Sequence, residues 1–133
     1  MFRNLLLIIL LIFAQQSFAQ LKTPSVASGK IERHFLQDDL LGIAKTVDVW
    51  LPKNYTAQTR HAVVYLHDGQ MLFDSTNTWN NQEWKIDETV GELLEAGKIK
   101  PCIVVGIWNA GSARHAEYFP QKPFESLPKI VRD

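Results

Sequence analysis

Two short polar segments hold the residue types from which a reactive site could be built: His67-Asp68-Gly69-Gln70 and Asn109-Ala110-Gly111-Ser112-Ala113-Arg114. Each follows directly on an apolar run rich in β-branched residues. In the first, a glycine lets the backbone turn sharply, so that successive amide N–H groups can point into a crevice as donors to a developing oxyanion. Such donation depends on the turn and not on any particular side chain. His67 and Asp68 are not a catalytic pair by adjacency, because neighbours in an extended segment point to opposite sides. His67 is therefore read as packing or hydrogen-bonding the turn rather than as a general base.

The segments need elements that hold them together. Ala62-Val63-Val64-Tyr65-Leu66 and the run from Cys102 to Trp108 are continuously apolar, as expected of central strands covered on both faces. Between them Ile86, Val90, Leu93 and Leu94 recur at helical spacing, with Asn81 as a candidate cap, Gly97 at the stop and Pro101 beyond it. Gly91 inside that helix costs about 1 kcal/mol relative to Ala and implies close packing against the sheet. Strand, helix, strand is a βαβ unit with parallel strands and a right-handed crossover, and reactive groups in open α/β sheets gather on loops leaving the carboxyl ends of strands. Both polar segments should then face one crevice. Upstream, Val47, Val49 and Leu51 alternate with Thr46, Asp48 and Trp50, which predicts a half-exposed strand toward a sheet edge, ended by Pro52. Ile31 to Phe35 is expected to pair with it as a hairpin across Gln37 to Gly42.

Composition sets the bounds. The 133 residues, 46% apolar and 21% charged, fit one globular domain or a piece of one and exclude disordered or collagen-like sequence. Fourteen basic residues balance fourteen acidic ones without a basic block, so no nucleic-acid partner is expected. Cys102 stands alone, which excludes an intrachain disulfide and a cysteine-based zinc cluster. The segment from Asp74 to Asp87 lacks the spacing of a calcium loop, so neither a metal nor a cofactor is called for. At the amino terminus Arg3 precedes the apolar run Leu5 to Ala14, which is short for a membrane span, and Ser17-Phe18-Ala19 offers small residues where a signal peptidase reads. Residues 1–19 are read as a signal peptide cut after Ala19, giving an exported protein, periplasmic or extracellular, with no stable membrane anchor. Residues 20–29 are read as a disordered lead-in, and the folded part as residues 30–133.

A set of ordered blocks carries a family resemblance: Tyr65-Leu66-His67-Asp68-Gly69-Gln70, Leu72-Phe73-Asp74, Thr78-Trp79, Trp84, Asp87-Glu88, Val105-Gly106-Ile107, Asn109, Arg114, Glu117-Tyr118 and Pro120. From about Val47 to Pro120 the chain resembles the Putative esterase branch of the α/β-hydrolase superfamily, related to feruloyl esterases, esterase D and enterochelin esterases. The resemblance implies a serine hydrolase of carboxylic esters, with Gly69-Gln70 contributing to the oxyanion hole. Asp68, Trp79, Asn109 and Arg114 are the further oxyanion or pocket candidates. It also implies the amino-terminal part of an α/β-hydrolase fold: a mostly parallel central sheet with an antiparallel edge, incomplete.

The nucleophile of such enzymes sits in Gly-x-Ser-x-Gly, where the glycines permit a strained strand-to-helix turn. Serines occur at 17, 25, 28, 75, 112 and 126, and none has Gly at both flanking positions. Ser112 comes nearest, between Ala110 and Arg114, and is not expected to act. No catalytic residue is therefore assigned within the chain. It is read as the amino-terminal fragment of a secreted serine esterase, inactive alone, ending on charged residues without a closing strand. Its substrate in the complete enzyme would be a small-molecule or carbohydrate-linked ester. The alternative is a noncatalytic carbohydrate-binding or degenerate hydrolase-like module, with Trp79, Trp84, Trp108 and Tyr118 among Asn77, Asn80, Asn81 and Gln82 as a stacking surface.

Overall fold

The computed structural model describes residues 22–38 and 43–129. The signal-peptide reading of residues 1–19 and most of the predicted hairpin turn lie outside the described residues. Four strands, Lys30–Asp38 (β1), Ile43–Leu51 (β2), Ala62–His67 (β3) and Cys102–Ile107 (β4), form one mixed sheet in the order β1-β2-β4-β3. β1 and β2 pair antiparallel as the expected hairpin, with Arg33 opposite Asp48. β2 also runs antiparallel to β4, whereas β3 and β4 are parallel and are joined through the helix Ile86–Glu95 (α1). Two short helices, Arg114–Tyr118 (α2) and Gln121–Glu125 (α3), follow. The βαβ unit is thus present, and its two strands end on the two polar segments.

The core lies where α1 meets the sheet. Trp50, Leu72, Phe73 and Val104 are buried together, and Ile86, Val90 and Leu94 of α1 pack against them. This corrects the reading of β2 as half-exposed and near an edge. β1 holds the edge, and β2 buries both faces, Val47 and Leu51 on one and Asp48 and Trp50 on the other. The face taken as polar carries the core because Trp50 is mostly hydrocarbon and because the Asp48 charge is paired with Arg33.

β3 departs from expectation in the opposite sense. Among the described residues no strand pairs with its outer side, and Val63, Val64 and Tyr65 are 44%, 41% and 68% exposed. Its apolar run marks a strand able to be covered on both faces, but a cover must come from other elements, and only β4 flanks it here. β4, between β2 and β3, is central as expected.

α1 begins without Asn81. Its cap is Lys85, in the left-handed region at φ 54°, and the acidic Asp87 and Glu88 in the first turn suit the positive end of the helix dipole. The close packing at Gly91 is against Ser28 and not against the sheet: a Cβ there would lie 2.5 Å from the Ser28 Oγ. Residues 22–29 accordingly form a strap rather than a loose lead-in. Ser25 N–H donates to Asp74 Oδ2 at 2.9 Å, and the N–H groups of Ala27 and Ser28 donate to Asp87 Oδ2 at 2.8 and 3.3 Å. The Ser28 carbonyl accepts the Trp50 indole N–H at 2.7 Å. Backbone donors of this kind leave no mark in side-chain composition.

Candidate functional site

At the carboxyl end of β3 the sharp bend falls on Asp68, which adopts a left-handed conformation at φ 55°, ψ 43°. Asp visits this region because its short polar side chain can bond locally. Gly69 is needed for a different reason, close approach. A Cβ on Gly69 would lie 2.6 Å from the Gly106 carbonyl carbon and oxygen and 2.8 Å from Trp108 Cδ1. Gly69–Met71 then forms a 3₁₀ turn, closed by Met71 N–H donating to Asp68 O at 2.8 Å. The N–H groups of Gly69 and Gln70 precede that first closure, and a helical turn leaves its leading donors without internal acceptors.

The Asp68 carboxylate is the hub that joins both segments. Arg114 donates Nε–H to Oδ1 at 2.8 Å and Nη2–H to Oδ2 at 2.6 Å, a two-point contact that matches guanidinium to carboxylate. Asn109 Nδ2–H donates to Oδ1 at 2.7 Å and Tyr118 O–H to the same oxygen at 3.2 Å. Hydrogen bonding from Arg114, helped by Asn109 and Tyr118, outweighs partial burial and holds the carboxyl down at about 2. Asn109 is used at three points, since its N–H donates to Gln70 Oε1 at 3.2 Å and its Oδ1 accepts from Gly111 N–H at 2.8 Å. His67 packs its ring against Tyr118, centroids 5.0 Å apart. Glu117 accepts from Ala110 N–H at 2.8 Å and pairs with Lys45, tying the second segment back to β2.

An open cleft of about 650 Å³ lies over these groups, lined by Asp68, Gln70 and Met71 from the first segment and Asn109, Gly111 and Arg114 from the second. Its remaining wall is Asn77, Trp79 and Trp84. Trp79 is 86% and Trp84 50% exposed. The loop that carries them is fixed at its start by Asp74, whose carboxylate accepts from Thr76 N–H and Oγ1–H, and at its end by Trp84 N–H donating to Met71 O at 2.9 Å. Five of the six candidates named from sequence, Asp68, Gln70, Trp79, Asn109 and Arg114, line this cleft, and Gly69 lies in the turn beneath.

The other aromatic candidates are committed elsewhere. Trp108 donates its indole N–H to Asp48 and Tyr118 is bound to Asp68. Asn80 bonds Gln82, and Ser112 sits exposed in the 3₁₀ turn Gly111–Ala113. What the sequence reading missed is the hub role of Asp68, with Tyr118 as its partner from fifty residues away. The one available signal was a lone acid at the end of a strand, with an Arg and an Asn on the facing loop. Among the described residues no three His, Cys, Asp or Glu side chains converge to hold a metal ion.

The family model described as Putative esterase matches residues 40–129. Among solved structures, the chain is similar to a ferulic acid esterase from Anaeromyces mucronatus in complex with ferulic acid, at 20% identity over 63% of this chain and 30% of that one, TM-score 0.44. It is similar also to the feruloyl esterase module of Clostridium thermocellum complexed with sinapinate, at 23% identity over 63% and 28%, TM-score 0.45. The BES protein of Bacillus cereus matches at 19% identity over 68% and 32%, TM-score 0.45. This chain spans about 30% of the length of the solved structures it matches. No curated protein matches it.

Proposed function

The chain belongs to the Putative esterase family, and on that premise we propose that it supplies the oxyanion-binding turn and one wall of the cleft of an exported serine esterase. The carrying observation is the Gly69–Met71 turn, whose leading N–H groups belong to Gln70, which lines the cleft, and to Gly69 in the turn beneath it. When a nucleophile adds to an ester carbonyl, the carbonyl oxygen gains negative charge. Fixed backbone donors stabilise that charge without reorganising, by about 3–4 kcal/mol per donor. The Asp68 contacts to Arg114, Asn109 and Tyr118 keep the turn in place between the two segments. The attacking serine and its base come from chain beyond these residues, and the outer side of β3, unpaired among the described residues, is where further sheet would join. Trp79 and Trp84 suit a ring-bearing acyl or sugar group of the ester.

The same two tryptophans support the second reading, a carbohydrate-binding module without catalysis. That reading is weakened because Trp108 and Tyr118 are engaged with Asp48 and Asp68. The 133-residue chain is expected to show no esterase activity above background on p-nitrophenyl acetate, with only a small residual rate from binding, and to take no label from a fluorophosphonate, since donors alone cannot replace a nucleophile and base. Labelling at Ser112 would overturn this. Export predicts that secreted material begins Gln20-Leu21-Lys22, with Gln20 free or cyclised. Intact Met1 confined to the cytosol contradicts it.

A further inference from the structure

A buried ion pair that does not line the cleft is linked through Trp108 to the turn. Arg33, Asp48 and Gly106 stand in one cross-strand row, Arg33 opposite Asp48 on β1 and β2 and Asp48 opposite Gly106 on β2 and β4. The Asp48 carboxylate accepts Arg33 Nε–H at Oδ1 and Nη2–H at Oδ2, both at 2.7 Å, with side chains only 5% and 0% exposed. The same Oδ2 accepts the Trp108 indole N–H at 2.8 Å, while the Arg33 guanidinium lies 4.6 Å from the Trp108 ring centre. In the indole, Cδ1 is bonded directly to Nε1, and Cδ1 is the atom that stands 2.8 Å from where a Gly69 Cβ would be. Fixing Nε1 on Asp48 therefore fixes the atom that borders Gly69. A ring flip would withdraw both together.

We propose that Asp48, through Trp108, is a positioning residue for the Gly69–Gln70 turn, and that the buried Arg33–Asp48 pair is kept for this orientation. A buried ion pair is seldom more stabilising than apolar residues of equal volume, so its presence calls for a role in specifying geometry. Nothing in this requires Asp48 to touch substrate. The proposal rests on the reading of that turn as the oxyanion site, but its test does not use activity, so a failure of either is seen separately.

The experiment is amide hydrogen exchange by NMR on the ¹⁵N-labelled 133-residue chain, with Met71 N–H reporting the turn, Val104 N–H the sheet and thermal melting the global stability. Trp108→Phe retains a ring but removes the indole donor. It should speed exchange at Met71 at least tenfold and shift the Gly69 and Gln70 amides, with Val104 changed less than threefold. Asp48→Ala, with Trp108 intact, should do the same. Asp48→Asn keeps an oxygen acceptor for the indole and should hold Met71 exchange within threefold of wild type even though it melts lower. Should Asp48→Ala fail to fold, Trp108→Phe and Asp48→Asn decide the matter. A turn unmoved in Trp108→Phe, or Met71 and Val104 exchange rising together with falling melting temperature in every variant, makes the row a purely structural feature and overturns the proposal.

Discussion

Asp68 carries two strains that its partners offset. Its left-handed backbone costs about 1–2 kcal/mol for a residue with a Cβ, and its carboxylate is mostly withdrawn from water. Arg114, Asn109 and Tyr118 all favour the charged form, which is why the pKa falls to about 2. The folded value lies below the unfolded one of about 3.9, so these contacts stabilise the fold in full above about pH 4 and lose that contribution as pH falls through about 2. A carbon-detected NMR titration of the Asp68 carboxyl should show the low midpoint in wild type, and Arg114→Gln should raise it toward the ordinary carboxylate range. An unmoved midpoint would mean that Arg114 is not the main cause. The residue also illustrates a limit of sequence reading. Asp68, Asn109 and Arg114 are visible as polar types on facing loops, but which group is the hub depends on backbone conformation, and the turn was assigned to Gly69 when the bend is at Asp68.

Between strap and helix the controlling group is Asp87, at the first turn of α1. Its Oδ2 accepts the strap N–H groups of Ala27 and Ser28, while Oδ1 is buried without a partner. Burial first, then the neighbouring Glu88, raises its pKa. A raised folded value means that stability is fullest with the group protonated and is lost as pH rises through that value. Asp87→Asn keeps an acceptor for the strap without the charge. It should melt at or above wild type at pH 8, with the difference shrinking as the pH is lowered through the raised folded value. Asp87→Ala leaves two N–H groups without an acceptor and should cost about 1–3 kcal/mol, or roughly 4–8 °C per kcal/mol in a small domain. Calorimetry of both variants across pH checks this, and an Asp87→Asn protein that melts lower than wild type at pH 8 contradicts it.

For the molecule as a whole, the order hairpin, strand, helix, strand was legible because apolar periodicity is a local signal that each element writes into its own residues. The faces of β2 were not, because Asp48 reads as solvent-facing until Arg33 is set beside it by strand register and Trp108 by the end of β4. The strap was hidden for a related reason, its donors being main-chain groups that meet acids 49 and 60 residues away. The cleft was predictable as a meeting of two loops, since parallel strands joined by a helix end on the same side. What those loops do there is the central claim, that the backbone at Gly69–Gln70 stabilises an oxyanion. The most direct measurement replaces the Gln70 amide by an ester linkage, removing one N–H and no side chain, in the complete enzyme of which this chain is proposed to be part. The account predicts kcat lower by on the order of 100-fold or more, while Gln70→Ala, which loses only the side-chain contact to Asn109, stays within a few-fold of wild type. Full turnover in the ester-linked enzyme together with a crippled Gln70→Ala would assign the role to the side-chain amide and contradict the account.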